Sequence, residues 1–311
     1  MKKIYIPLML LLLLALSACG SKAAKENNAE TPAASKQDSV SKTTITYQSE
    51  NGPVEVPADP KRVIVLSTFA GNVMQLGVNI VGVDSWSKGN PRFEQLKDVE
   101  EVTDDSLEKI IELNPDLIIG LSNIKNLDKL KEIAPTVTYT YGKVDYLTQH
   151  IEIGKLLNKE KEATAWVEDF KKRAQKTGED IKAKIGPDTT VSVIEKFDKQ
   201  LYVFGDNWGR GTEILYQEMK LAMPEKVKEM ALKAGYYALS TEVLPEFAGD
   251  YVVLSKNAEA DNSFQETETY KNIPAVKNNR LFEVNAKEFY FNDPLTLEFQ
   301  LDFFKKSFLG S

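Results

Sequence analysis

The sequence predicts an α/β protein with two Rossmann-like lobes, each built on a mainly parallel sheet, joined by one long rigid helix. Three observations lead to this prediction. Short apolar runs alternate with segments of helical periodicity in the first half of the chain, and a second set of such runs follows Gly186. Between the two sets, a regular spacing marks one face of a single helix. Strand–helix alternation is typical of parallel sheets with helices on both faces.

The first lobe is predicted to span residues 45–158. Its strand-like runs are rich in β-branched residues, and they are 63–66, 79–83, 117–119 and 136–139. Leu107, Ile110 and Ile111 recur at helical spacing between two of these runs. Because the residue before a proline is pushed out of the helical region, Asn114 predicts the end of that helix.

A single helix is predicted to join the lobes over residues 159–186. Its core-facing positions are three or four residues apart and so share one face; they are Trp166, Phe170, Ala174, Thr177, Ile181 and Ile185. A helix of about 25 residues is roughly 37 Å long. No glycine-rich stretch interrupts it, so we expect a modest closure of the lobes on ligand binding.

The second lobe is predicted to span residues 187–311. Its strand-like runs are 190–194, 200–204, 250–254 and 280–284. The segment 106–119 of the first lobe matches 240–253 of the second without a gap, notably in a Ser-x-Glu sequence and in an aspartate before a strand. Self-similarity of this kind indicates a duplicated unit. The alternative is chance, since a helix, a loop, an aspartate and a strand often follow one another in α/β proteins.

The amino terminus has the features of a lipoprotein signal peptide, predicted for residues 1–18. Lys2 and Lys3 precede an apolar run at 4–16, and small residues lead to Cys19, the one cysteine in the chain. The apolar run is shorter than the roughly 20 residues that span a bilayer. We therefore expect cleavage before Cys19, lipidation of its thiol and anchoring at the extracellular face of the cell membrane. An ordinary signal peptide with a coincidental cysteine is the alternative.

Residues 19–44 are predicted to form the acylated cysteine and a flexible tether, because they contain too few apolar side chains to order themselves. The formal net charge of the chain is −7 at pH 7, which argues against nucleic acid as a partner. A single cysteine allows no intrachain disulfide. We expect a monomer that contacts the membrane through its lipid only.

The sequence lacks the residue patterns of common enzyme sites. His150 is the one histidine, which argues against histidine-ligated zinc and Cys-His catalysis. Neither a G-x-S-x-G nucleophile elbow nor a G-x-x-x-x-G-K-[ST] phosphate loop is present. We therefore expect a binding protein without catalytic activity, resident cofactor or metal ligands of its own.

Two loops carry large aromatic residues that core packing does not explain. In the first, Trp208 lies in a glycine-rich turn that rarely buries a large ring, and Arg210 follows it. In the second, Tyr290 is the middle of three consecutive aromatics, and Asp293 then predicts the start of a helix. Ligands of α/β folds bind at the carboxyl ends of strands, where the second loop falls. A hairpin-like turn with a solvated Arg210 is the alternative for the first loop.

Several motifs together resemble the ferric hydroxamate siderophore-binding lipoproteins of Gram-positive bacteria, the FhuD type. They are the lipobox, the segments 60–63, 114–118 and 134–137, the DNWGRG turn and the YFNDP loop. The resemblance implies the helical-backbone type of periplasmic binding protein, with two lobes and a single helical linker. It also implies the substrate-binding component of an ABC importer, whose partners are a ferric siderophore, a permease and the permease's ATPase.

The resemblance further implies roles for individual residues. The tryptophan and arginine of the DNWGRG turn line the pocket in that family, which implies this role for Trp208 and Arg210. The middle aromatic of the second loop is usually tryptophan there, whereas this chain has Tyr290. One glutamate on each lobe, here Glu108 and Glu242, is implied to contact arginines of the permease. The alternative is that both are glutamates at helix N-termini beside serine caps.

The chemistry of ferric trihydroxamates agrees with these residues. Such a complex is neutral or singly cationic, with partly negative oxygens around the iron, which the siderophore itself holds, and an apolar skeleton outside. One guanidinium suits the oxygens and aromatic rings suit the skeleton, so we add Tyr202, Tyr141 and Trp86 to the expected lining. Ordinary edge packing is the alternative for Trp86 and Tyr141. Alternative ligands are a catecholate siderophore, haem or cobalamin, and a lipid-anchored adhesin is the alternative from another functional class.

Overall fold

The computed structural model describes residues 43–310. The predicted signal peptide, Cys19 and almost all of the predicted tether at 19–44 lie outside the described residues. Within 43–310, no helix is both long and apolar enough to cross a bilayer.

The first lobe contains a five-stranded sheet in which all neighbouring strands are parallel. An antiparallel hairpin of β1 (Thr44–Ser49) and β2 (Gly52–Pro57) precedes it. The strands of the sheet are β3 (Val63–Val65), β4 (Ile80–Val83), β5 (Glu100–Glu101), β6 (Leu117–Leu121) and β7 (Thr136–Tyr139). Their spatial order is β5-β4-β3-β6-β7. The parallel sheet predicted for this lobe is confirmed.

Both faces of this sheet are buried. Successive side chains of a strand point to opposite faces, and accordingly Val63 and Val65 pack into one hydrophobic core while Ile64 packs into another. The helices of the lobe are α1 (Ala70–Gln75), α2 (Ser85–Lys88), α3 (Leu107–Glu112), α4 (Leu127–Ile133) and α5 (Tyr146–Leu156), with a 3₁₀ turn at Glu94–Leu96. Burial on both faces explains why the strands of this lobe are continuous apolar runs.

The two lobes are joined by α6 (Glu160–Ile185). Phe170, Ala174 and Ile181 are fully buried along one side of this helix, as their spacing predicts. At Gly178 its backbone approaches the second lobe so closely that an added Cβ would lie 2.2 Å from the carbonyl oxygen of Met219. The single long helix predicted between the lobes is confirmed.

The second lobe contains a five-stranded mixed sheet. Its strands are β8 (Val191–Phe197), β9 (Gln200–Phe204), β10 (Tyr236–Leu239), β11 (Tyr251–Lys256) and β12 (Leu281–Asn285). Their spatial order is β10-β9-β8-β11-β12. The helices are α7 (Glu225–Ala231), α8 (Leu244–Phe247), α9 (Glu268–Lys271), α10 (Pro274–Lys277), α11 (Ala286–Phe289) and α12 (Pro294–Leu309), with a π-helical segment at Glu213–Glu218 and a 3₁₀ turn at Ser263–Glu266.

The pairing of β9 departs from the mainly parallel arrangement expected for this lobe. β11 is parallel to β8 and β12, but β9 is antiparallel to β8 and β10. Only Asp198 and Lys199 separate β8 from β9, and Asp198 has a left-handed φ of 51°. A two-residue connection can form a hairpin but cannot provide the crossover that parallel strands need.

Two aspartates occupy the same place in the two sheets. Asp116, just before β6, accepts hydrogen bonds from the backbone N–H groups of Lys61 (2.7 Å) and Arg62 (2.9 Å), just before β3. Asp250, just before β11, accepts one from the backbone N–H of Thr190 (2.8 Å), just before β8. Each carboxylate thus joins the starts of two neighbouring parallel strands. This equivalence supports the duplication inferred from the sequence match.

The three consecutive aromatics of the second loop separate between the lobes. Phe289 is buried in the core of the second lobe. Phe291 is buried in the core of the first lobe, where its ring stacks on Phe93 with centroids 5.8 Å apart. Asp293 caps α12 and lies against α1, so that a Cβ added to Gly71 would be 1.8 Å from its Oδ1 atom. The segment 289–293 therefore connects the lobes a second time, in addition to α6.

The capping carboxylate of Asp293 gives a testable pH dependence. Burial raises its pKa to about 6, above the roughly 3.9 of an unfolded chain. The folded state then binds more protons than the unfolded state between about pH 4 and pH 6, so this group makes the protein lose stability as pH rises through that window. Asp293→Asn retains a capping side chain and should remove about 2–3 kcal/mol of this pH-dependent change in unfolding free energy, measured by urea denaturation from pH 4 to 7.

Asp145→Asn is the matched control, because Asp145 caps α5 in the same way. Partial burial opposes its ionisation, but hydrogen bonds from Thr148 and Leu147 outweigh this effect and hold its pKa below the usual range. The stabilising contribution of Asp145 is therefore lost as pH falls. The Asp145→Asn substitution should change the pH dependence of the unfolding free energy in the direction opposite to that of Asp293→Asn. Parallel pH profiles for wild type and Asp293→Asn would contradict the assignment.

Candidate functional site

Aromatic side chains of the two lobes meet across the interlobe cleft. Trp86 of the first lobe stacks on Phe197 with centroids 6.0 Å apart and contacts Tyr290 at 5.0 Å. Tyr141 of the first lobe meets Trp208 edge-on at 5.8 Å. We use the term aromatic cleft for these rings and their neighbours, which are Trp86, Tyr141, Phe197, Tyr202, Trp208, Arg210, Tyr236 and Tyr290.

The first lobe contributes its two rings from segments that follow strands. Trp86 is the second residue of α2, directly after β4, and Asp84 fixes this turn by accepting a hydrogen bond from the Trp86 backbone N–H at 3.0 Å. Tyr141 comes directly after β7. Trp86 is 50% exposed and Tyr141 46% exposed. These are large exposed fractions for aromatic rings, and the two side chains therefore present apolar surface to the cleft.

The second lobe holds Trp208 and Arg210 in a strained turn. Gly209, Arg210 and Gly211 have consecutive left-handed φ angles of 68°, 60° and 84°. A Cβ on Gly209 would lie 2.2 Å from the carbonyl oxygen of Tyr290, and the backbone N–H of Arg210 donates to the Phe289 carbonyl at 2.7 Å. Only glycine permits this close approach at little cost. The DNWGRG turn and the YFNDP loop are thus packed directly on one another.

The guanidinium of Arg210 lies between aromatic rings and a buried carboxylate. Its central carbon is 4.8 Å from the ring centroid of Tyr290 and 4.9 Å from that of Phe204. It donates to both carboxylate oxygens of Glu195, at 3.1 and 3.0 Å, and to the Trp208 carbonyl at 3.1 Å. Arginine has five N–H donors, so two are not used by these hydrogen bonds. Only 12% of the Arg210 side chain is exposed, which argues against the solvated Arg210 of the alternative.

Tyr202 and Tyr236 complete the wall of the second lobe. Tyr202, on β9, meets Tyr236 edge-on with centroids 5.8 Å apart, and Tyr236 in turn contacts Trp208 at 5.0 Å. Mainly because Tyr290 is partly buried, the pKa of its hydroxyl is raised to about 12. The hydroxyl is therefore protonated at neutral pH and can donate a hydrogen bond. All six ligand-binding residues predicted from the sequence lie in the aromatic cleft.

A polar cavity of about 750 Å³ adjoins the aromatic cleft. Tyr141 is shared between the two, and Asn207, Glu213 and Asn292 also line the cavity. The Glu213 carboxylate is buried and accepts hydrogen bonds from the Gly209 backbone N–H (2.9 Å) and from Asn292 (2.8 Å); burial raises its pKa. An aromatic region and a polar cavity therefore lie next to each other between the lobes.

Glu108 and Glu242 are exposed and occupy matching places in the two lobes, nine residues before β6 and β11 respectively. The helix N-terminal alternative holds for Glu108, which lies in the first turn of α3 after the N-cap residue Ser106, although the Ser106 side chain makes no capping hydrogen bond. It does not hold for Glu242, because α8 begins at Leu244. A hydrogen bond with the Ser240 hydroxyl holds the pKa of Glu242 below its usual range, so its charge is available at neutral pH.

The lone histidine lies outside the aromatic cleft. His150 is buried on α5, its Nδ1 atom is 3.3 Å from the Asn72 amide nitrogen, and burial lowers its pKa to about 4. Among the residues that the structure describes, no group of three or more His, Cys, Asp or Glu side chains is placed to hold a metal ion.

Sequence comparison identifies the family. The model of the family described as periplasmic binding protein matches residues 66–288. The chain belongs to this family of periplasmic binding proteins. The iron(3+)-hydroxamate-binding protein FhuD of Bacillus subtilis (strain 168) is 38% identical over 306 residues, which cover 96% of this chain and 95% of the relative. The iron(3+)-hydroxamate-binding protein YxeB of the same organism is 36% identical over 97% of this chain and 95% of its own length.

Solved structures share the fold of this chain. FhuD2 from Staphylococcus aureus with bound ferrioxamine B superposes with a TM-score of 0.77 at 36% sequence identity, covering 81% of this chain and 99% of that one. The FhuD protein from S. pseudintermedius gives a TM-score of 0.78 at 37% identity, covering 86% of this chain and 99% of that one. The family resemblance and fold class predicted from the sequence are confirmed.

Sequence reasoning missed three residues of the site, Glu195, Phe197 and Tyr236. Glu195 and Phe197 lie at the end of β8, and they reach Arg210 and Trp86 only through the folding of the sheet and the apposition of the lobes. A glutamate directly after the apolar run 190–194 was the available indication for Glu195, since a charge in a buried strand requires a partner.

Proposed function

We propose that this chain is the substrate-binding component of an ABC importer, which captures ferric hydroxamate siderophores in the aromatic cleft and delivers them to a membrane permease and its ATPase. The observation that carries the proposal is a single guanidinium set among aromatic rings with two N–H donors unused by the protein. The iron is cargo, held entirely by the siderophore.

The aromatic cleft matches the surface of such a complex. The remaining donors of Arg210 can make charge-assisted hydrogen bonds to the hydroxamate oxygens. Trp208, Tyr290 and Trp86 bury the apolar skeleton, at about 25 cal/mol per Å² of surface removed from water. Because Trp86 contacts Phe197, and Tyr141 contacts Trp208, across the cleft, the ligand must separate these pairs when it enters.

The relatives support this ligand class. Two relatives above 35% identity are named as iron(3+)-hydroxamate-binding proteins, and a similar solved structure contains ferrioxamine B. Haem would require an axial ligand, and because the buried His150 lies outside the aromatic cleft, a tyrosine or methionine would have to provide it. We also propose that residues 1–18 are removed and that lipid on Cys19 anchors the protein at the extracellular face of the cell membrane. A relative that is 31% identical over 304 residues is named as a probable siderophore-binding lipoprotein, which supports this anchor.

Titration of the purified protein with a ferric trihydroxamate tests the proposal. Trp86 and Trp208 lie in the aromatic cleft, so the iron complex should quench their fluorescence with saturation at one ligand per chain. The iron-free siderophore and haem are the comparison ligands, and both should bind much more weakly. Saturation by haem with no response to a ferric hydroxamate would refute the proposal.

A further inference from the structure

Glu195 sets the charge of the aromatic cleft. Its side chain is completely buried on β8 and forms a two-point ion pair with Arg210, at 3.1 and 3.0 Å. A third hydrogen bond comes from the Ser255 hydroxyl on β11. The carboxylate is thus held by Arg210 in the DNWGRG turn and by Ser255 on β11, which keep it directed at the guanidinium. As a result, Arg210 brings hydrogen-bond donors to the cleft but almost no net positive charge.

We infer that Glu195 is a specificity-determining residue, which makes the cleft select neutral or singly cationic ferric complexes against polyanionic complexes of similar size. This inference rests on the proposed function. A ferric triscatecholate carries three negative charges, and it would meet an arginine whose charge is already balanced. Removal of the Glu195 charge would leave Arg210 as a free cation in the ligand site.

The charges near the Glu195–Arg210 ion pair also support a cleft with little net positive charge. Lys196, next to Glu195, is bound to Asp261 at 3.0 Å. Arg92 lies 3.6 Å from Glu288, next to the aromatic loop. The faces of aromatic rings carry partial negative charge, so the rings that suit an apolar skeleton do not attract an anion. Arg210, Lys196 and Arg92 thus each have a carboxylate partner.

The test is Glu195→Gln, which removes the charge but keeps the length of the side chain. The dissociation constants of a neutral hexadentate ferric trihydroxamate and of a hexadentate ferric triscatecholate are measured for each variant at low ionic strength. One buried charge acts on three ligand charges, so we expect the ratio of the two constants, catecholate over hydroxamate, to fall by about tenfold or more. An unchanged ratio in a folded variant would overturn the inference.

Two controls separate charge from structure. Glu195→Asp keeps the charge and disturbs the geometry, so it should keep a ratio close to that of wild type even if both affinities fall. Glu162→Gln makes the same change of net charge at an exposed position on α6 and should leave the ratio unchanged. A tenfold fall of the ratio in either control would show that the charge of Glu195 is not responsible.

If Glu195→Gln does not fold, Arg210→Gln tests the same charge balance by removing the cation of the ion pair. It leaves the carboxylate without its cation, so the ratio should rise, although hydroxamate affinity also falls. A ratio that stays the same or falls would overturn the inference. Wild-type protein that binds the hydroxamate but shows no preference over the catecholate would also overturn it, whereas wild-type protein that binds no hydroxamate would refute the proposed function instead.

Discussion

Replacement of Trp208 by alanine is expected to weaken binding of a ferric trihydroxamate by nearly two orders of magnitude. The indole is half-buried and held between Tyr141 of the opposite lobe and Tyr236 of its own. If the ligand covers about 100 Å² of this ring, the loss is about 2.5 kcal/mol, a factor of somewhat under a hundred in the dissociation constant. Isothermal titration calorimetry is the suitable measurement, because the variant also loses a fluorophore.

Two further variants test whether the loss of affinity in Trp208→Ala comes from the aromatic ring at position 208. Trp208→Phe keeps an aromatic face and should lose about tenfold or less. Trp166→Phe should keep wild-type affinity, because Trp166 stacks on Phe170 (4.9 Å) and donates to Glu298 (2.9 Å), outside the aromatic cleft. Wild-type affinity in a Trp208→Ala protein with an unchanged melting temperature would contradict the placement of the ligand.

Alanine at Glu108 and Glu242 together is expected to abolish most siderophore-dependent iron uptake without changing siderophore affinity. Both side chains are exposed, lie at matching places in the two lobes and are absent from the aromatic cleft. Truncation of one partner of a hydrogen-bonded charge pair that is buried in an interface typically costs about 2–5 kcal/mol. If docking buries each glutamate in this way, even one substitution should lower uptake at least tenfold. Uptake is measured in cells whose only copy is the variant, and affinity is measured on the purified protein.

Nearby glutamates serve as controls for docking. Glu112 lies one turn after Glu108 on α3, and Glu246 lies on α8, where it pairs with Lys226. Alanine at either should leave uptake near the wild-type level. Equal losses of binding and uptake in the Glu108 and Glu242 variants, or equal losses of uptake in the controls, would contradict a docking role.

The fold could be predicted because short apolar runs in the sequence mark the strands of each lobe. The run Val63–Val65 is apolar at every position because two cores cover its sheet, and the spacing of Phe170, Ala174 and Ile181 gives the buried side of α6. The direction of β9 was missed, since strand-like residues do not reveal direction. The length of the connection does, because only Asp198 and Lys199 separate β9 from β8.

Some residues of the site could likewise be predicted from local sequence, whereas others depend on tertiary contacts. Trp208 and Tyr290 could be found because a large ring in a glycine-rich turn, or among three consecutive aromatics, is unusual within a few residues of sequence. Glu195 and Phe197 could not be found in this way. Their roles depend on the approach of β8 to the DNWGRG turn and on the position of Trp86 in the other lobe, which are distances in space that no local pattern encodes.

The stacking of Phe291 on Phe93 bears on how the chain folds. The hydrophobic core of the first lobe includes a ring supplied from near the carboxyl end of the chain. Contacts of such large sequence separation form late, since the intervening chain must first be ordered. The hydrophobic core of the first lobe therefore cannot be completed until the chain has been synthesised almost to its carboxyl end.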